Sequence, residues 1–260
     1  YPMSEAKGLI KSHTVKKYWM GATGLFLCLF LVGHLAGNLQ LFLDGYEGRL
    51  QFNEYAVFMT TNPAVKILSY LTYFSILFHA VDGLVITINN RKARPEGYAY
   101  SKPSANSLWS SRNMGILGTV IFVYILVHMQ NFWYEYKFGE TPYMMSDDGQ
   151  SPLLLDGSVV KGGMIENGEI VKAGESLGPA MRDLYAIVIE SFQEPLLVAF
   201  YVLGMIAIAF HLIHGFQSGF QSLGLKNRKY GPMIDKLGYA FAIAVPLLFA
   251  VIPVYLFLVK

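Results

Sequence analysis

Five apolar blocks divide the chain, at 18–43, 65–88, 114–133, 196–216 and 237–259. Each approaches or exceeds the roughly 20 residues that a helix rising about 1.5 Å per residue needs to cross a hydrocarbon core of about 30 Å. The pattern predicts an all-α membrane protein, a five-transmembrane-helix bundle forming one membrane domain over residues 1–260, with the blocks as spans I to V. Most connections are short, as antiparallel neighbours in a bundle require. The exception, 137–184, carries Asp156-Gly157 and Asn167-Gly168 beside short apolar pieces such as Ser158-Val159-Val160 and Glu169-Ile170-Val171. Such dipeptides favour tight hairpin turns, so this insertion reads as a small β-hairpin, with a flexible acidic loop as the alternative.

Composition agrees with the pattern: 53% of residues are hydrophobic and 15% charged, a balance that suits lipid better than water. The net charge of +2 is less telling than where the charges fall. Lys7, Lys11, Lys16 and Lys17 precede span I, and Arg91, Lys92, Arg94, Lys102 and Arg112 separate II from III. With Lys226, Arg228, Lys229 and Lys236 between IV and V, these segments hold 13 of the 20 basic residues. The opposite loops are acidic, from Asp44, Glu47 and Glu54 after span I to Glu140–Glu175 after span III. By the positive-inside rule the N-terminus lies inside and the C-terminus outside. The location expected is a bacterial cytoplasmic membrane, with lipid and not nucleic acid around the chain. A lone Cys28 excludes an intrachain disulfide framework and a cysteine-bound iron–sulfur cluster, and without Cys-x-x-Cys-His covalent haem attachment is excluded too.

Five of the six histidines fall inside or at the end of the spans. Any one of them reads most simply as a hydrogen-bonded interior residue. Four on four consecutive spans are a different matter, because two helices can share a ligand only where their side chains lie at one depth. His34 is residue 17 of 26 in span I, His79 is 15 of 24 in II, His128 is 15 of 20 in III and His211 is 16 of 21 in IV. Each lies past its midpoint while the chain direction alternates, so His34 and His128 share an outer layer and His79 and His211 an inner one. At about 1.5 Å per residue the layers are roughly 12 Å apart. A porphyrin iron held axially by two imidazoles has no open position, which suits electron transfer, and the pattern points to two b-type haems.

Neighbouring residues fit this reading and a simpler one equally. Gly37, Gly83 and Gly215 follow their histidines by three or four residues, giving a macrocycle room or serving ordinary small-residue packing. His214, one turn beyond His211, competes with it as a ligand; depth favours His211 and leaves His214 as a propionate or hydrogen-bond partner. Asp82, one turn after His79, is placed to orient an imidazole or a propionate. Lys17 and Arg112 lie where inner propionates would emerge, or serve as positive-inside anchors.

The runs Leu31-Val32-Gly33-His34-Leu35, Phe78-His79-Ala80-Val81, Ser111-Arg112 leading to Val127-His128, and Phe210-His211-Leu212-Ile213-His214-Gly215 ending in Leu223-Gly224 resemble the dihaem cytochrome b membrane-anchor subunit of succinate dehydrogenase and quinol:fumarate reductase. The resemblance covers the five spans and omits the insertion. It implies one ligand from each of spans I to IV, paired I with III and II with IV. In that family the span-IV ligand lies about 13 residues before a glycine, and Gly224 follows His211 by 13. The resemblance further implies a flavoprotein subunit and an iron–sulfur subunit on the cytoplasmic face and a quinone, menaquinone in type, near the outer haem. The chain would then be the quinone-reactive part of an enzyme complex and would itself do no dicarboxylate chemistry. Some members carry a glutamate two residues before the span-IV ligand, proposed to move protons with the electrons. Here that position is Ala209, so this route is not expected. Glu54 is the candidate for proton exchange with the quinone, or a surface carboxylate. Two other classes stay open on sequence alone: the cytochrome b subunit of a hydrogenase or formate dehydrogenase, and a proton-coupled transporter using its intramembrane histidines and Asp82.

Overall fold

A computed structural model describes residues 13–93 and 107–260. Of the basic residues that set the expected orientation, Lys7, Lys11, Arg94 and Lys102 lie outside the described residues. In chain order the helices are α1 (His13–Asn38), α2 (Gly45–Thr61), α3 (Pro63–Lys92), α4 (Trp109–Arg112), α5 (Met114–His128), α6 (Glu135–Phe138), α7 (Leu184–Ser191), α8 (Pro195–Ser222) and α9 (Gly231–Val259). A 3-10 turn, Leu39–Phe42, prolongs α1, and a π-helical turn, Met129–Tyr134, joins α5 to α6. The strands are β1 (Met164–Glu166), β2 (Glu169–Lys172) and β3 (Glu175–Pro179).

The protein is mostly helical and, among the described residues, five helices are long and apolar enough to cross a membrane. They are Val15–Phe42, Pro63–Lys92, Met114–Phe138, Pro195–Ser222 and Gly231–Val259. Each covers one apolar block and overruns it, because a helix continues past the hydrocarbon limit until the backbone meets a stop. Pro63 supplies such a boundary at the start of α3, where a missing N–H costs nothing. Large apolar side chains such as Leu29, Ile67, Leu196 and Leu203 are 63–79% exposed, the outward face of helices whose solvent is lipid.

Backbone contacts divide the chain into two compact units. The first comprises the chain up to Gly33, Ser69–Tyr124 and Val202–Phe249; the second comprises His34–Leu68, Ile125–Tyr201 and Ala250–Lys260. In the first unit Cys28, Leu212 and Ala242 form a buried cluster joined by Leu31, Phe216 and Phe241. Small residues bring these helices close: a methyl group on Gly21 would lie 3.1 Å from Gly219 O, and one on Gly204 would meet the Tyr124 ring at 2.5 Å.

The second unit holds the insertion, which is more built than a single hairpin. Its sheet is a three-stranded antiparallel meander in the order β1-β2-β3. Asn167-Gly168 forms the β1–β2 turn with both residues at positive φ (53° and 83°), the arrangement that favours Asn-Gly. The β2–β3 turn uses Ala173-Gly174 at φ 52° and 83°. Ala173 carries a side chain there that gives no turn signal, which is why the third strand goes unpredicted. The connection between spans I and II is also more than a loop, since it contains α2. Its buried positions Gly48, Phe52, Ala56 and Asn53, Val57 recur every four residues, and Tyr46, Leu50 and Val57 pack on Met144, Leu153 and Met181 of the insertion. Gly48 is required because a methyl group there would sit 2.8 Å from the Leu43 backbone.

A polar knot ties α2 to the insertion. Asp183 is fully buried and caps α7, its Oδ1 accepting from Ala186 N at 3.0 Å. The same oxygen accepts from Asn53 Nδ2 at 2.8 Å, and Oδ2 accepts from Arg49 Nε at 2.7 Å and also from Arg49 Nη2. Asn53 Oδ1 in turn accepts from Tyr185 N at 3.0 Å. Two side chains of α2 thus satisfy both oxygens of a carboxylate that could not otherwise be buried.

Candidate functional site

The helices bring four histidines together as two pairs, one in each unit. In the first unit the rings of His79 (α3) and His211 (α8) have centroids 6.1 Å apart at an interplanar angle of 68°. In the second, His34 (α1) and His128 (α5) have centroids 5.8 Å apart at 89°. Two metal–nitrogen bonds of about 2 Å, with each ring centroid about 1 Å behind its nitrogen, set the centroids of a bis-imidazole metal about 6 Å apart. The ring planes of such a pair can rotate freely about the shared axis, so neither angle opposes it.

Three of the four imidazoles have a hydrogen-bonding side chain at Nδ1. Thr23 Oγ1 donates to Trp19 O at 2.7 Å and lies 3.3 Å from His79 Nδ1, toward which its oxygen is free to accept. In the tautomer with its proton on Nδ1, His79 donates to this oxygen and leaves Nε2 as the nitrogen free to bind. A methyl group on Gly24 would lie 3.1 Å from His79 Cε1, so this glycine lets α1 lie against the ring. His128 Nδ1 stands 3.4 Å from Tyr201 Oη, and Tyr201 is also hydrogen-bonded to Asn131. Asn38 Nδ2 donates to His34 O at 2.8 Å and stands 3.5 Å from His34 Nδ1. His211 differs: its Nδ1 is buried without a hydrogen-bond partner.

The remaining expected residues fall in distinct places. Gly37 is filled by Tyr55, whose Cε1 would be 2.6 Å from a methyl group there, so ordinary packing accounts for it. Gly83 and Gly215 are open, the nearest side-chain atom standing 3.7 Å from an added methyl group in each case. Asp82 and His214 are half-buried on the same helices as their histidines, and the groups that meet the His79 ring are the Thr23 hydroxyl and the Met20 backbone. Lys17 is exposed. Arg112 is exposed and donates through Nη1 to Ser107 O. Glu54 is exposed on α2, its carboxylate resting against Gly157 of the insertion, where an added methyl group would lie 2.5 Å from Oε1.

Among the described residues no three or more His, Cys, Asp or Glu side chains gather in a group able to hold a metal ion. A protein-only tetrahedral centre needs three or four such donors. A pair of imidazoles suits an iron whose other four positions come from a macrocycle. The donor set and the open backbones at Gly83 and Gly215 therefore fit haem b.

The chain that follows the insertion packs against the second pair. Phe192, just beyond α7, packs against Tyr201 and Phe132 with centroids 5.0 and 5.6 Å apart, and both of those rings contact His128, at 6.0 and 5.4 Å. Phe132 and Asn131 lie in the π-helical turn that begins one residue after His128. Such turns cluster at functional sites because the extra residue re-aims side chains. No protein-family model matches this chain, no curated protein resembles it significantly, and no solved structure matches its fold.

Proposed function

We propose that the protein is the membrane-anchor and electron-transfer subunit of a succinate:quinone oxidoreductase, of succinate dehydrogenase or fumarate reductase type. The observation that carries the reading is the pair of histidine pairs, each with centroids about 6 Å apart and each joining helices that run in the same chain direction across a membrane. A haem b held in each pair supplies one-electron redox chemistry without an open iron position. His34 and His128 would hold one haem, and His79 and His211 the other. Thr23 and Tyr201 hold two of these imidazoles in the tautomer that ligates, and the apolar helices keep water from them.

The assignment to this enzyme class rests on the local runs around the histidines. In this reading the basic ends face the cytoplasm of a bacterium, where a flavoprotein subunit and an iron–sulfur subunit dock. Menaquinone exchanges electrons on the outer side. Glu54 is the candidate for the accompanying proton exchange.

The test is a dithionite-reduced minus oxidised spectrum with a haem count on the purified chain. Two b haems per chain are expected, falling to one in His211→Ala and staying at two in His214→Ala. A count of zero ends the proposal. Co-purification with hydrogenase or formate dehydrogenase subunits would keep the haems and overturn the enzyme class.

A further inference from the structure

Three aromatic rings, of Phe132, Tyr201 and Phe192, are built up around His128. Tyr201 Oη lies 3.4 Å from His128 Nδ1, and the Tyr201 ring is held on one side by Phe192 and on another by Phe132. Its phenol is also hydrogen-bonded to Asn131, from the π-helical turn that follows the histidine. Tyr201 itself is only 5% exposed, so the group has little access to water and its hydrogen bonds are made within the protein.

The direction of the bond to His128 follows from ligand chemistry. If Nε2 of His128 faces an iron, Nδ1 must carry the ring proton, and the Tyr201 oxygen accepts it. Accepting the Nδ1 proton makes an imidazole a stronger donor to its metal and favours the oxidised, more positive iron. The aromatic walls work alongside this, since a charge-assisted bond is stronger where water is excluded.

We infer that Tyr201 is a positioning residue that lowers the reduction potential of the haem held by His34 and His128, without touching that haem. This rests on the dihaem reading above. It also gives the segment after the insertion a task in that site, because Phe192, which closes one side of the Tyr201 ring, directly follows α7.

The experiment is a spectroscopically monitored redox titration of the membrane-purified chain, wild type against Tyr201→Phe, which removes the oxygen and keeps the ring. One neutral hydrogen bond is worth about 0.5–1.5 kcal/mol, so the reduction equilibrium of one haem should rise about three- to tenfold. That is a shift of about 30–60 mV upward for a one-electron couple, with the other haem unchanged. A wild-type count of zero haems would overturn the dihaem reading and this inference with it. Two haems with both potentials unmoved in Tyr201→Phe, or a shift in the haem that His79→Ala removes, would overturn the inference alone. Should Tyr201→Phe lose a haem altogether, the phenol holds the site together and does not tune its potential, and the inference is overturned as well.

Discussion

His79 meets a threonine hydroxyl where His128 meets a phenol, and the contrast extends outward from each ring. In the first unit Thr23 belongs to a membrane span and hands its own proton to Trp19 O, a neighbour four residues away. In the second, Tyr201 belongs to a run of contacts that passes through Phe192 and α7 to the Asp183 knot and the insertion. One site is made almost wholly from spans; the other is braced by chain that never enters the apolar blocks. The same pairing of imidazoles can therefore be held by local helix chemistry or by a small folded domain, and the second arrangement exposes the pair to changes made far from it.

The largest effect expected is loss of cofactor, and combinations of substitutions test whether the pairs are independent. His34→Ala with His128→Ala should leave one haem per chain, whereas His34→Ala with His79→Ala should leave none. Equal losses from both double variants would break the comparison. Next comes the brace: Asp183→Ala strands Arg49 and Asn53 and removes the α7 cap. Because Arg49 is 38% exposed, the cost lies at the low end for a broken buried pair, about 3 kcal/mol. Proteolysis should open the insertion first and disturb the spectrum of the His34–His128 haem, leaving the other intact. If both haems responded alike, the brace would not be specific to the second unit.

A smaller effect tests the first unit in the same manner. Thr23→Val keeps the shape and removes the oxygen near His79 Nδ1, at a cost of about 1 kcal/mol. The potential of the His79–His211 haem should rise while the other stays, the mirror image of Tyr201→Phe. The smallest effect concerns acid. Asp156 is held below the ordinary carboxylate range by the Ser158 hydroxyl and backbone N–H, and Asp148 likewise by Ser146 and Gln150 N. A depressed folded value means the contribution is complete above the unfolded carboxylate range and is lost as pH falls through the folded one. The turns of the insertion should therefore resist proteolysis down to pH values below about 4. In Asp156→Ala that acid response disappears and the turn is weaker at neutral pH; an unchanged acid profile would rule out this role.

The spans were legible because length and apolarity alone decide them, and the alternation of chain direction paired the same histidines whose rings stand in contact. Asn167-Gly168 announced its turn for a reason of backbone sterics. Ala173 did not, since nothing in an alanine signals positive φ. The helix α2 was missed because two glycines in its first turn and an acidic composition suggested a loop, although the four-residue recurrence of Gly48, Phe52 and Ala56 was there to be counted. Thr23 and Tyr201 were passed over because hydroxyl groups in apolar helices commonly bond their own backbone. The depth count that paired the histidines would have reached Tyr201, five residues before the middle of span IV and so near the outer layer. The π-helical turn after His128 left no signature, as its sequence is that of any apolar helix end.

The Asp183 knot also bears on how the protein is made. Arg49 and Asp183 are 134 residues apart in sequence, and spans II and III lie between them. At a synthesis rate of about 5–20 residues per second, roughly 7–27 s pass after Arg49 leaves the ribosome before its carboxylate exists. Two membrane crossings must be threaded in that interval while α2 waits with its cation and amide facing water. The second unit thus closes late in biogenesis, and its bolt is thrown by a residue that arrives only after three spans have been laid down.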